Sequence, residues 1–144
     1  MTLLSVIVYT LTHYFRNERE KQLIEAHHQN QLRNYKNNLL KVTQAEKWPG
    51  IAKPGRIEYL KAEAYAGLGD YNKAESYYLR SYKSDPEYFW CVADMAIFYA
   101  SSDKSVFERR HLALPYLSRL KNKFTNHQDR QSYIDKLEQK LKLE

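Results

Sequence analysis

The segment GLGDYNKAESYYLRSYKSDP, residues 67–86, decides the fold because it contains the signals for both ends of one helix. Its glycines precede Asp70, whose carboxylate can cap a helix by accepting hydrogen bonds from backbone amides. No proline or glycine interrupts residues 71–84, which are therefore predicted to form a helix. Asp85 is a second candidate N-cap, and Pro86 has the preset backbone angle of a first helical residue. The segment thus predicts a turn, a helix and the start of another helix.

Helical signals continue on both sides of this segment, and no stretch has the alternating pattern of a strand. Residues 16–47 contain neither proline nor glycine and are predicted to form one long helix that ends at Trp48-Pro49-Gly50. Residues 56–67 are predicted to form the helix that leads into the quoted segment. A further helix is expected after the segment, from Pro86 to Ala100. Two capping-box signatures precede further predicted helices: Ser105 with Glu108, and Thr125 with Gln128.

The composition fits one helical domain and excludes several kinds of site. The chain has 144 residues, of which 43% are apolar, with only four glycines and four prolines, as is typical of a helical globular protein. Its single cysteine, Cys91, excludes an intrachain disulfide and a zinc site built from several thiolates. The histidines lack the spacing of helical metal ligands, and no glycine-rich phosphate loop is present. We therefore expect no metal, no cofactor and no enzymatic activity.

The formal net charge of +6 is spread over both ends of the chain. A nucleic-acid binder usually concentrates its excess charge on one face. One local run of basic residues could attract an anionic surface, but we interpret it as a solvated helix face: Arg109, Arg110, Arg119, Lys121 and Lys123.

Residues 55–88 show the spacing of a unit made of two helices joined by a tight turn. Ala62 and Ala74 are small residues where the two helices would approach each other, and Gly69 stands at the turn between them. Tyr65, Tyr71 and Tyr78 would face the neighbouring units, and Pro86 stands at the exit from the unit. At these positions the segment resembles a tetratricopeptide repeat, a helix-turn-helix unit of about 34 residues. Ser81 stands where alanine is usual, and Lys61 where an apolar residue is expected.

The flanking segments resemble weaker copies of the same repeat. Upstream, Asn38 replaces the usual small alanine; downstream, the fit needs an insertion and places Pro115 inside a helix. The resemblance implies an all-α fold, a short α-solenoid of two to three tetratricopeptide-like (TPR-like) repeats with a C-terminal capping helix. The predicted parts are a hydrophobic N-terminal segment (1–15), a degenerate first repeat (16–54), the clear repeat (55–88), a repeat with an insertion (89–124) and the capping helix (125–144).

Residues 1–15, MTLLSVIVYTLTHYF, carry no Lys, Arg, Asp or Glu. They are short for a membrane-spanning helix, which needs about 18–20 residues, and they lack the basic start of a signal peptide. Three interpretations stay open: a minimal or tilted anchor, a helix in the membrane interface, or a soluble helix packed in the core. We expect membrane association, and Arg16, Arg19 and Lys21 favour a cytoplasmic position for the repeats. A soluble cytoplasmic protein is the alternative.

Tetratricopeptide repeats use their first helices to line a concave groove that binds a peptide or helix of a partner protein. Carried over by position, the resemblance implies these partner-binding residues: Arg56, Tyr59, Glu63, Trp90, Ala93 and Ile97. Members of the family that bind a terminal carboxylate use lysine and asparagine at positions that Tyr59 and Glu63 hold here. We therefore expect an apolar or mixed ligand, with Trp90 as the main anchor.

These observations predict a non-enzymatic protein–protein interaction scaffold that is associated with a membrane. The layout also resembles the tails of some bacterial polysaccharide polymerases and ligases. One alternative is therefore the soluble C-terminal tail, or an accessory subunit, of a bacterial envelope or polysaccharide-assembly enzyme. A helical-repeat RNA-associated protein is another, but Glu58 and Glu63 interrupt the basic groove that RNA would need, so no nucleic-acid partner is expected.

Overall fold

The computed structural model describes residues 2–50, 53–100, 110–124 and 128–143. Every regular element in these ranges is helical, so the predicted all-α fold class is confirmed. The chain divides into two compact units, Met1–Ser81 and Tyr82–Glu144. The helices are α1 (Leu3–Gln31), α2 (Tyr35–Glu46), α3 (Arg56–Gly67), α4 (Tyr71–Ser84), α5 (Phe89–Ala100), a 3-10 turn (Arg110–Leu112), α6 (Ala113–Lys123) and α7 (Gln128–Leu143).

The helices around the quoted segment have the predicted boundaries, and their ends have clear physical causes. Gly69 adopts a φ of +79°, the left-handed conformation that commonly follows a helix C-terminus and favours glycine. Asp70 then caps α4, because its Oδ1 accepts a hydrogen bond from the amide of Lys73 at 3.3 Å. The turn between α3 and α4 is therefore specified by two adjacent residues.

Two other predicted helix boundaries are wrong. The helix predicted over residues 16–47 breaks at Arg33, which has a left-handed φ of 58°, a conformation that non-glycine residues adopt rarely. No glycine or proline signals this break in the sequence. Pro86 does not begin a helix either, since α5 starts at Phe89. Asp85 instead caps a turn, and its Oδ1 accepts the amide of Glu87 at 3.1 Å.

In the first unit each helix packs on the next one along the chain. Helix α1 lies against α2, and α2 lies against α3. Tyr59 of α3 faces Tyr78 of α4 with ring centroids 6.4 Å apart, and Ser81 Oγ of α4 donates to the carbonyl of Gly55 at 2.8 Å. Ala62 and Ala74, two of the small residues of the repeat pattern, are fully buried. This packing of sequence neighbours is the solenoid-like arrangement that was predicted.

The contact between α2 and α3 explains two individual positions. A Cβ atom added to Gly67 would overlap the ring of Tyr35, so a side chain larger than hydrogen does not fit without a shift. Lys61 departs from the repeat pattern, yet its ammonium pairs with Glu46 at 2.7 Å and lies over the ring of Tyr77. The lysine is therefore accommodated by an ion pair and an aromatic face instead of apolar packing.

Asn38 of α2 is expected to lower the stability of the first unit. Its side chain is fully buried, and neither of its amide atoms has a hydrogen-bond partner among the described residues. A buried unsatisfied polar group destabilises a protein by about 1–3 kcal/mol. Truncating the side chain removes this penalty, but the small cavity that is left offsets part of the gain. Asn38→Ala should therefore raise the free energy of unfolding by about 1 kcal/mol, measured as a higher urea midpoint.

The matched control is Asn37→Ala, which removes an amide that donates to Gln29 at 3.2 Å. This change should leave stability unchanged or lower it slightly, by about 0.5 kcal/mol. A lower urea midpoint for Asn38→Ala would show that the buried amide is satisfied in solution.

The second unit is built around α5, in which nearly every residue is buried. Its core cluster joins α5 with residues of the following helices and their ends: Phe89, Val92, Ala93, Ala96, Leu117, Leu120, Phe124, Ile134 and Leu137. Helix α7 packs on both α5 and α6, and its Ile134 is fully buried. It therefore covers the apolar faces of these helices, as expected of the predicted capping helix. The single thiol, Cys91, is also buried here.

Candidate functional site

The first half of α1 is exposed along its whole length. Every residue from Thr2 to Tyr14 is exposed, including Leu3 at 78% and Leu4 at 72%. Tyr14 and Phe15, at the end of this exposed stretch, contact the rest of the unit through their rings, which lie 6.1 and 6.0 Å from the ring of Trp48. Soluble proteins rarely leave so many adjacent large apolar side chains in water. We call residues 3–14 the apolar segment.

The threonine hydroxyls of the apolar segment are bonded within the helix itself. Its larger aliphatic residues recur every three or four positions and share one side of the helix. On the remaining surface, Thr10 Oγ1 donates to the carbonyl of Val6 at 3.0 Å, and Thr12 Oγ1 donates to that of Val8 at 2.9 Å. These hydroxyls are satisfied by their own helix and do not depend on water for a hydrogen-bond acceptor.

The position of the apolar segment bears on the three interpretations of the N-terminus. It is not packed in a core formed by the described residues, since all of residues 2–14 are exposed. None of the described helices combines the length and the apolar character needed to cross a membrane.

A pocket of about 590 Å³ lies beside the end of the apolar segment, in the first unit. The described residues that line it are His13, Arg16, Asn17 and Glu20 of α1 and Lys53 of the loop before α3. The α1 residues share one face, because their spacing of three, four and seven follows the helical repeat. Asn17 Nδ2 donates to His13 Nδ1 at 2.9 Å, which orients the imidazole. We call this site the basic pocket.

The basic pocket carries positive charge that the described residues do not neutralise. The carboxylate of Glu20 is 2.9 Å from the guanidinium of Arg56, so the charge of Glu20 is already compensated. Arg16 and Lys53 form no ion pair with any described residue. Sequence reasoning missed this pocket because Lys53 is distant from the α1 residues along the chain. The helical spacing of the α1 residues was the one available signal.

Arg19, one of the three basic residues expected beside the membrane, is buried instead, with 8% of its surface exposed. Its guanidinium donates to the carbonyl of Ala45 at 3.3 Å and to those of Trp48 and Gly50. The last carbonyls of α2 lack donors within their own helix, so Arg19 caps the C-terminal end of α2. Lys21 pairs with Glu18 at 2.6 Å. Arg16 alone in this cluster is exposed without a described carboxylate partner.

The predicted partner-binding residues of the first unit do not form one exposed surface. Arg56 is half-buried and paired with Glu20, and Glu63 is half-buried. Tyr59 is 5% exposed because its ring faces Tyr78 across the α3–α4 contact. Tyr59 therefore belongs to the core and is not kept in the candidate site.

In the second unit, Trp90 is the accessible member of the predicted set. It is 49% exposed, and its ring lies 4.9 Å from Phe89 and 6.0 Å from Tyr133. Burial raises the pKa of Tyr133 to about 12, and the negative charge of Asp94 acts in the same direction, so this phenol stays neutral at physiological pH. Ala93 is fully buried, and Ile97 is half-buried against the core cluster.

The basic run near α6 is compensated where the structure describes it. Arg119 pairs with Glu87 at 2.6 Å, Lys123 with the same carboxylate at 2.9 Å, and Lys121 with Glu138 at 3.0 Å. The hydrogen bond from Lys123 holds the pKa of Glu87 below its usual value. Arg109 and the side chain of Arg110 lie outside the described residues. The three described residues therefore act as a solvated, ion-paired face.

The part of the chain that the structure describes contains no group of three or more His, Cys, Asp or Glu side chains that could hold a metal ion. Neither a protein-family model nor a curated protein or solved structure matches the chain. Function is therefore inferred from the geometry of this chain, in which the apolar segment and the basic pocket are the most distinctive features.

Proposed function

We propose that this chain is a non-enzymatic helical interaction module that attaches to a membrane surface through its apolar segment. The supporting observation is that residues 3–14, which form an apolar helical segment without Lys, Arg, Asp or Glu, are all exposed to solvent. Because every side of the segment is exposed, it can insert at an angle to the membrane surface, with its N-terminal end among the acyl chains and Tyr14 at the level of the headgroups. Tyr14 and Trp48 meet at the base of the segment, and such rings favour the boundary between lipid and water.

The aliphatic side chains of the apolar segment supply enough free energy for reversible attachment. Their exposed fractions range from 39%, for Val6, to 78%, for Leu3. Removing five such side chains from water contributes roughly 1 kcal/mol each, or about 5 kcal/mol in total. That free energy corresponds to a partition coefficient of roughly several thousand in favour of the bilayer over water.

Ile7→Asp should sharply weaken binding to phosphatidylcholine vesicles in a flotation assay. The change removes an exposed aliphatic side chain and places a charge within the apolar segment, at a cost of about 2 kcal/mol. The partition coefficient should therefore fall about 30-fold. Neutral vesicles are used so that the basic residues contribute little.

The control for this variant is Ile24→Asp. Ile24 lies on the same helix and is 61% exposed, but it stands outside the apolar segment. Its substitution should leave flotation unchanged, and circular dichroism should show that both variants remain helical. Wild-type protein that stays unbound while forming a concentration-dependent dimer in sedimentation experiments would contradict membrane attachment. It would indicate that the segment packs against a second copy of the chain.

The repeats are proposed to bind a partner protein, in keeping with their resemblance to tetratricopeptide repeats. The half-exposed ring of Trp90 supports this part of the proposal, because accessible tryptophans beside other aromatic residues are frequent anchors in protein interfaces. A cytoplasmic position for the repeats remains a prediction. So does a role as the tail or accessory subunit of an envelope-assembly enzyme.

A further inference from the structure

We infer that the basic pocket binds the phosphate monoester of an anionic lipid headgroup. This inference deepens the proposed membrane attachment, since it assigns a lipid specificity to a site beside the apolar segment. Three observations carry it: the position of the pocket, its charge and its hydrogen-bond donors.

The position of the basic pocket suits a headgroup. His13 belongs both to the apolar segment and to the pocket lining, and Arg16 follows one helical turn later on the same face. A lipid whose acyl chains lie beside the apolar segment would therefore have its headgroup at this level. Tyr14, which follows His13, contacts Trp48, and these rings are typical of the same layer of a membrane.

The charge of the pocket favours a dianion. Among its lining residues and their ion-pair partner, Arg16, Lys53 and Arg56 are cationic and Glu20 is anionic, which leaves two positive charges. A phosphate monoester carries about −1.5 to −2 charges near pH 7, so it matches this excess. The phosphodiester of phosphatidylcholine carries one negative charge that its own choline neutralises, and it matches less well.

The donors of the pocket suit the oxygen atoms of a phosphate. Arg16 offers a planar guanidinium that can bind two oxygens at once, and Lys53 offers a compact ammonium. Asn17 contacts Nδ1 of His13, so the other ring nitrogen, Nε2, is available to donate to a phosphate oxygen. A monoester presents three terminal oxygens to such donors.

The first test compares vesicles of phosphatidylcholine that contain either phosphatidic acid or phosphatidylserine, with contents adjusted to the same zeta potential. The wild-type protein should prefer the phosphatidic acid vesicles, and Arg16→Gln/Lys53→Gln should reduce this preference about 30-fold. The control is Lys36→Gln/Lys41→Gln, which changes the net charge equally on α2, away from the pocket lining. It should keep the preference.

The second test removes the bilayer, so that it does not depend on membrane attachment. Short-chain phosphatidic acid, below its micelle concentration, and inorganic phosphate are titrated while NMR follows the side-chain amide of Asn17. The lipid should shift this resonance at concentrations at least tenfold lower than phosphate does. The Arg16→Gln/Lys53→Gln variant should show neither shift.

The outcomes separate this inference from the proposed attachment. Loss of neutral-vesicle binding in Ile7→Asp, with an unchanged Asn17 response to the short-chain lipid, supports both. A wild-type protein that binds the short-chain lipid but no vesicle supports the pocket and contradicts the attachment. Three results would each overturn the headgroup assignment. The first is equal binding to the two anionic vesicle types, and the second is an equal effect of Arg16→Gln/Lys53→Gln and Lys36→Gln/Lys41→Gln. The third is an equal response of Asn17 to the short-chain lipid and to inorganic phosphate.

Discussion

Arg19→Met is expected to lower the free energy of unfolding of the first unit by about 3 kcal/mol. The guanidinium is buried and donates to three carbonyls at and beyond the end of α2, those of Ala45, Trp48 and Gly50. Methionine keeps much of the apolar volume but removes every donor. Hydrogen bonds that involve a charged group contribute about 1.5–3 kcal/mol.

The control for Arg19→Met is Arg16→Met in the same helix. Arg16 is exposed and has no described ion-pair partner, so its substitution should change the stability by less than about 0.5 kcal/mol. The measurement is urea unfolding followed by the fluorescence of Trp48 in a Trp90→Phe background. Similar urea midpoints for the two variants would mean that water replaces the donors of Arg19 at no cost.

Gly55→Ala should destabilise the same unit by about 3 kcal/mol. Gly55 has a left-handed φ of 72°, and an added Cβ would lie 2.7 Å from the carbonyl oxygen of Ser81. The backbone conformation accounts for about 1–2 kcal/mol. The remainder arises because the oxygen belongs to the backbone and cannot rotate away, so the start of α3 must separate from α4. The hydrogen bond from Ser81 Oγ to Gly55 O, 2.8 Å long, would weaken as well.

Gly69→Ala isolates the conformational part of this effect. Gly69 has a φ of +79°, but nothing lies within 4 Å of the Cβ position. Its substitution should therefore cost about 1–2 kcal/mol, from the left-handed backbone alone. Urea unfolding of the two variants measures the difference, which reports the close contact between Gly55 and Ser81. If both variants lose the same stability, the two helices can separate slightly without cost.

The parts of the fold that were predictable are those in which a local signal and the packing agree. Asp70, with the glycine before it, marks the turn between α3 and α4 by local chemistry alone. Small residues such as Ala62 and Ala74 are buried where two helices meet, so their spacing carries information about packing as well as about helix formation. For this reason residues 56–84 were assigned correctly.

The parts that were missed depend on tertiary structure overriding local preference. Arg33 adopts a left-handed conformation that arginine has no intrinsic tendency to adopt, so the break between α1 and α2 left no local mark. Arg19 has the chemistry of a surface residue, and only the nearby end of α2 makes its burial favourable. The same limit applied to the candidate site, because Lys53 joins α1 in the basic pocket only once the chain has folded.

The contact between Gly67 and Tyr35 has a consequence for how this chain can change during evolution. Because the ring of Tyr35 occupies the space of a Cβ at position 67, a residue larger than glycine at this position requires the ring to move. Related sequences should keep glycine at position 67 together with an aromatic residue at position 35. Where position 67 carries a larger residue, position 35 should carry a smaller one. The pair is therefore expected to covary, and it offers a marker for recognising distant relatives whose other residues have diverged.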